Sequence, residues 1–293
     1  MNIKMSIVVG MIMVCLMFKQ LVSGRMLDLT YVLKPGSPAY PGNIPFKLTP
    51  LRKEMTSGGF WVEFNWFSTS EHKGTHIDAP KHFIKHGLTL EHIPMERLVG
   101  PGVVFRAIEE AKNNSDFEIS REWLVNWESR YGRIPEKSIV FMHFGWGRED
   151  NNMNLLFGSE NTEDTSTFHF PGIGGDGMEF LVKERNIFSI GTDATSIDIG
   201  QTKTYLAHRM SLGNNVTVLE NVAKLDQLPV TGAHIVVAPI KLLGGSGGQA
   251  RIIAFIDEDP LTSTRCSAST FYVSFYWALF GLFSMAFGFL TFD

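Results

Sequence analysis

Three of the nine histidines fall within eleven residues, in His72-Lys-Gly-Thr-His76-Ile-Asp78-Ala-Pro-Lys-His82, and an aspartate lies among them. Neutral imidazole and carboxylate together suit a borderline or hard divalent cation such as zinc or manganese, and the lack of nearby cysteine argues against a structural zinc knot. His72, His76, Asp78 and His82 are all even-numbered, so an extended chain would turn them to one face. Extension alone fails, because four residues of strand span about 13 Å, too far for His72 and His76 to reach one ion. The chain must bend between them; Gly74 permits that bend, and Pro80 turns the chain again before His82. The alternative is three unrelated histidines on a polar loop. Metal sites also draw on distant sequence, and His208 and Glu220 are the remaining candidates, Glu220 because it ends a strand-like run beside Asn221. Trp66, Phe67 and Trp146 lie near the segment or downstream of it and are candidates to stack on a bound molecule, with core packing as the alternative for each.

The elements that would hold these residues alternate in type. Leu27–Tyr31 predicts a short strand, followed by a loop punctuated by Pro35, Pro38, Pro41 and Gly42. Residues 60–67 predict a strand leading into the histidine segment, and 102–108 another after the Gly100-Pro-Gly turn. Ser120 can cap a helix running to about 129, with Trp123, Leu124 and Trp127 at helical spacing. Further strands are expected at 138–144, 187–190, 216–219, 234–239 and 250–256, with a helix over 176–185. The class is α/β, a single compact domain with a mixed sheet. Residues 149–168 are polar and motif-free, which suggests a lid or surface insertion.

Of the 293 residues, 44% are hydrophobic, and many of these lie at the two ends. Lys4, the apolar run 7–18 and small residues at 22–24 predict a signal peptide over 1–24, with Arg25 first in the mature chain. The uncharged run 271–290 is long enough to cross a bilayer. Segment 266–293 is therefore expected to be either a membrane anchor or a removed lipid-anchor signal, placing the domain of 25–265 in the secretory pathway, lumenal or extracellular. A net charge of −4 without a basic cluster excludes nucleic acid as a partner. Of the two cysteines, Cys15 leaves with the signal and Cys266 is left alone, so no intrachain disulfide forms. Asn113-Asn-Ser115 is a candidate glycosylation site.

At the histidine segment the chain resembles the cyclase family of metal-dependent hydrolases, which includes bacterial-type kynurenine formamidase. The resemblance runs over 27–257 and rests chiefly on the family's HxGTHxDxPxH signature. Asp28-Leu-Thr30, Tyr40-Pro-Gly42, Gly191-Thr-Asp-Ala-Thr-Ser-Ile-Asp198, and His208 followed by Glu220-Asn221 add to it in the family's order. It implies that His72, His76 and Asp78 are metal ligands and that His208 and Glu220 complete a one- or two-ion centre. His82 would be the catalytic acid/base, moving a proton between the attacking water and the leaving arylamine. It also implies a swivelling β/β/α core, a homo-oligomer, expected as a dimer, and hydrolysis of an aryl formamide to formate and an arylamine. Hydrolysis of a cyclic amide, imide or lactone is the alternative. A membrane-tethered binding protein that has lost turnover is a third possibility, against which the intact His82 argues. Family members often carry a small polar residue before Gly-Trp; here His143-Phe144 precedes Gly145-Trp146, which is expected to reshape the substrate pocket.

Overall fold

The computed structural model describes residues 24–147 and 152–257. Twelve strands are present among them: β1 (Gly24–Asp28), β2 (Lys47–Met55), β3 (Trp61–Ser68), β4 (His76–Asp78), β5 (Val99–Arg106), β6 (Glu118–Ile119), β7 (Ile139–His143), β8 (Gly172–Ile173), β9 (Ser189–Thr192), β10 (Thr217–Glu220), β11 (Thr231–Pro239) and β12 (Gly247–Asp257). Seven of them run in the order β12-β11-β5-β7-β9-β10-β4, and β4 pairs back onto β12, which closes the sheet into a ring with β1 outside on β12. The sheet is mixed. β5, β7, β9 and β10 are parallel to their neighbours in that row, and β11 and β4 pair antiparallel on either side.

The central strands are buried on both faces and so read as continuous apolar runs. In β7, Val140 and Met142 join one core with the flanking helices, whereas Ile139 and Phe141 join the other with Ile77, Leu219, Ile235 and Ile252. The helix Arg121–Tyr131 begins as the sequence predicts: Ser120 Oγ accepts the Trp123 N–H, and Leu124 and Trp127 point inward. The expected helix near 176–185 is present as Gly175–Glu179, continuing as a π-turn through Glu184.

Two elements differ from expectation. β3 does lead into the histidine segment, but it pairs with an unforeseen β2 in a separate hairpin whose residues face solvent almost throughout. The segment beyond 152 is less of a lid than its polarity suggests. It folds a short helix, Met153–Phe157, and buries Phe157 and Phe168 in a ring stack 4.2 Å apart, against which Tyr40 packs edge-on. Among the described residues no helix is long and apolar enough to cross a membrane. All of the expected signal peptide but Gly24, the apolar tail, Cys15 and Cys266 lie outside the described residues.

Candidate metal centre

The histidine segment enters the ring at its seam. Gly74 has a φ of +64°, the left-handed turn that lets His72 fold back beside His76. β4 then sets His76 opposite Glu220 of β10 and opposite Gln249 of β12, with Asp78 opposite Val218 and Gly247. His208 comes from the helix Leu206–Gly213. The sequence gives little warning of that helix, because its cap comes from elsewhere: the Asp198 carboxylate accepts the N–H groups of Ala207 (2.9 Å) and His208 (3.1 Å).

All six predicted groups converge. Asp78 Oδ1 lies 2.6 Å from His72 Nδ1 and 3.2 Å from His76 Nε2, and Asp78 Oδ2 lies 3.4 Å from His208 Nε2. Glu220 reaches His208 Nε2 at 3.1 Å and His76 Nε2 at 3.4 Å. The His82 ring stacks on His72 with centroids 3.9 Å apart and faces the pocket. Among the described residues, two sets of three donor atoms lie close enough together to hold an ion: His72, Asp78 and His82, and His76, Asp78 and Glu220. Asp78 belongs to both.

Chemically the set fits a cation. His76 Nδ1 donates to the Gly74 carbonyl at 2.9 Å, which turns Nε2 toward the carboxylates, and His208 Nδ1 donates to Asp198 Oδ2 at 2.6 Å with the same result. His76 Nε2, Asp78 Oδ2 and Glu220 Oε1 are buried and make no hydrogen bond of acceptable geometry. Buried polar atoms normally find partners, so three that converge without one suit a shared ion. Electrostatics points the same way. Burial alone would push the His76 imidazole down, but Asp78 and Glu220 hold its pKa up at about 10. His208 is likewise raised, against burial, by Asp198, Asp78 and Glu220. Asp78, despite burial, is held well below the ordinary carboxylate range by the histidines around it. The two carboxylates thus call for positive charge, from protons or from a metal.

Further residues shape the site. Ser246 Oγ lies 2.9 Å from His72 Nε2 and also contacts Glu71 Oε2 at 2.5 Å, tying His72 to the start of β12. Above the histidines opens a cavity of about 320 Å³, whose aromatic wall is Tyr40, Phe83 and Tyr205 and whose polar wall includes Asn43, Thr195 and Asn221. Tyr205 has a φ of +49°, uncommon for a bulky side chain, at the entry to the helix that carries His208. Of these residues the sequence singles out Tyr40, Thr195 and Asn221, and only as parts of motifs; the others carry no such signal.

The expected aryl-stacking residues are not in this wall. Trp66 and Phe67 lie on the exposed β2–β3 hairpin, about half accessible, because β3 pairs with β2 rather than with the ring. Trp146 packs against the core beside Phe157, and its indole N–H donates to the Leu156 carbonyl at 2.9 Å. His143-Phe144 does not reshape the pocket either. Asp193 accepts the N–H groups of Phe144, Gly145 and Trp146 and holds that loop away from the cavity, with His143 buried beside it.

The cyclase family model matches residues 27–199. An isatin hydrolase from Roseibium aggregatum is 29% identical over 256 residues, covering 82% of this chain and 95% of that protein. A kynurenine formamidase from Erythrobacter litoralis is 28% identical over 229 residues, covering 78% and 93%. The solved structure of isatin hydrolase A from Labrenzia aggregata superposes with a TM-score of 0.73 at 34% identity, covering 82% of this chain and 99% of that one. The family model stops short of His208 and Glu220, yet the fold brings both to the segment it does match; with more than half of its length under that model, the chain belongs to the cyclase family.

Proposed function

We propose that the chain is a metal-dependent hydrolase of aryl amide C–N bonds, with an N-aryl formamide such as N-formylkynurenine as its first substrate. The observation that carries this is the convergence of His76 Nε2, Asp78 Oδ2 and Glu220 Oε1, buried and without hydrogen bonds, beneath a pocket that His82 faces. His72, His76, Asp78, His208 and Glu220 would hold one or two divalent ions, zinc first and manganese second. Such an ion supplies Lewis-acid polarisation of a carbonyl and lowers the pKa of a coordinated water. His82, kept in place by its stack on His72, takes a proton from the attacking water and returns it to the departing arylamine nitrogen. Tyr40, Phe83 and Tyr205 seat the aryl ring, and the cavity falls at the small end of ligand sites, which run from about 300 to 1,000 Å³.

A cyclic aryl amide is the second reading, favoured by the relatives at 29% and 34% identity that are isatin hydrolases. The test is turnover of N-formylkynurenine and of isatin by the full chain, stripped with chelator and reloaded separately with zinc and manganese. Metal-restored formate release supports the first, metal-restored ring opening the second. Metal binding with neither activity would leave the binding-protein alternative.

Segments 1–24 and 266–293, as signal peptide and anchor, would place the domain in the secretory pathway, and recovery of the full chain in a soluble cytosolic fraction would refute this. The exposed Leu51, Phe60, Trp61, Phe64, Trp66 and Phe67 of the hairpin support a homodimer, which light scattering on the purified chain would test.

A further inference from the structure

Two side chains outside the predicted set determine which nitrogen His72 can offer. Glu71 precedes it in the chain, and Ser246 stands immediately before β12. Glu71 Oε2 accepts both the Ser246 N–H at 3.0 Å and the Ser246 hydroxyl at 2.5 Å. A carboxylate gives no proton, so the hydroxyl proton is spent on Glu71 and only lone pairs are left on Ser246 Oγ. Those lone pairs face His72 Nε2 at 2.9 Å. The imidazole must therefore carry its proton on Nε2. In the neutral form that can bind a metal, a ring protonated there presents its lone pair at Nδ1, and Nδ1 faces Asp78 Oδ1 at 2.6 Å.

The other two histidines are arranged the opposite way. His76 donates from Nδ1 to the Gly74 carbonyl at 2.9 Å and His208 from Nδ1 to Asp198 at 2.6 Å, so both present Nε2. The His72 ring has little room to escape its own arrangement. One face stacks on His82 with the planes 26° apart. Along its edge runs the backbone of β12: a Cβ at Gly247 would lie 2.5 Å from His72 Cε1 and 2.9 Å from Nδ1, so only glycine lets the strand pass this close. With the ring held on a face and an edge, what is left to set is the position of its proton.

We infer that Ser246 and Glu71 are positioning residues that fix His72 as an Nδ1 ligand, giving the centre one histidine that binds through Nδ1 beside two that bind through Nε2. Their role rests on the metal reading proposed above, and they act only through His72. Partners of this kind orient the ring and raise the basicity of the ligating nitrogen.

The experiment is competition of the full chain against a chromogenic chelator for zinc, beside Ser246→Ala, Ser246→Thr and Glu71→Gln, with denaturant unfolding in excess chelator as the measure of the fold. Ser246→Ala should weaken zinc binding by about 10- to 100-fold, and Ser246→Thr, which keeps the hydroxyl, should retain most of it. Glu71→Gln should weaken it by a smaller factor, because the amide oxygen can still accept from Ser246 as a neutral group, and it carries the test if Ser246→Ala does not fold. A long-range proton–nitrogen correlation spectrum of the zinc-loaded chain should show His72 protonated on Nε2, with His76 and His208 protonated on Nδ1. Unaltered zinc affinity in Ser246→Ala and Glu71→Gln with only metal-free stability reduced, or a His72 protonated on Nδ1, overturns the proposal while the metal reading stands. Failure of the unmodified chain to bind zinc overturns both.

Discussion

Replacing Asp198 by asparagine separates the metal-site reading from a merely structural one. The Asp198 carboxylate is 4% exposed and makes three contacts: Oδ1 accepts the Ala207 N–H at 2.9 Å, and Oδ2 accepts the His208 N–H at 3.1 Å and faces His208 Nδ1 at 2.6 Å. In D198N the single oxygen cannot serve both positions: placed at Ala207 it sets an NH₂ group against the His208 N–H and Nδ1–H, and placed at His208 it sets the NH₂ against the Ala207 N–H and grips Nδ1–H as a neutral acceptor, more weakly than a carboxylate. In the first placement the imidazole relieves the clash by moving its proton from Nδ1 to Nε2. That aims an N–H at Asp78 and Glu220, 3.4 and 3.1 Å away, where a lone pair is needed for ligation. Removing such an orienting partner typically weakens metal binding by about 10- to 100-fold, or roughly 1.4 to 2.8 kcal/mol. The unsatisfied His208 N–H adds about 1 to 3 kcal/mol of destabilisation that is present with or without metal. Two measurements divide these effects: competition against a chromogenic chelator for affinity, and denaturant unfolding in excess chelator for the fold. D198N with unaltered metal affinity but reduced stability would refute the orienting role and leave Asp198 as a helix cap alone.

Four further outcomes are expected. Gly247→Ala would place a Cβ 2.5 Å from His72 Cε1 and 2.7 Å from the Ile77 carbonyl, so calorimetry should show weakened metal binding and denaturant unfolding a loss of about 1 to 3 kcal/mol; wild-type values for both would contradict the close approach. His82→Gln should lower kcat by about 10²- to 10⁴-fold while metal affinity holds, whereas a fall in affinity of similar size would make His82 a ligand. Chelation should lower the thermal midpoint, since an ion at 100 times its Kd stabilises by about 2.7 kcal/mol, worth roughly 2 to 4 °C per kcal/mol in a domain of this size; an unmoved midpoint would mean that the folded chain binds no metal. Away from the site, burial would push the Glu128 carboxyl up, but the buried Arg185 guanidinium, gripping both its oxygens at 2.6 Å, holds it below the usual range. Its stabilising contribution is therefore present above the unfolded carboxylate pKa of about 4.3 and is lost as pH falls through the folded value, so Glu128→Gln should flatten the acid limb of the stability curve.

What the sequence made legible was what local chemistry determines. The bend at Gly74 followed from the reach of two imidazoles, and it appears as a φ of +64°. Ser120 capped its helix, and the apolar run 138–144 marked the strand β7, which the structure buries on both faces. What stayed hidden depends on partners distant in sequence. The helix carrying His208 is capped by a carboxylate eight residues upstream of its first turn and entered from Tyr205 in a left-handed conformation, so no cap residue or preceding turn announces it. Ser246 and Gly247 meet His72 only because β12 closes the ring. Trp66 and Phe67 misled for the converse reason. Their nearness to His72 in sequence suggested a pocket wall, but β3 is spent on β2 and leaves the ring before the site is built.

The same geometry explains why the centre sits where it does. β4 is three residues long, too short to hold a seam by its ladder alone, yet it pairs with both β10 and β12 and so closes the ring. Two of its three residues, His76 and Asp78, belong to the metal set, and His76 is flanked by Glu220 and Gln249, one from the strand on each side. Asp78 and Glu220 repel each other in a water-poor interior unless positive charge lies between them. A cation there would turn the repulsion into a clasp across β4, β10 and the helix of His208, so the chemistry of the site and the closure of the fold would rest on the same few side chains.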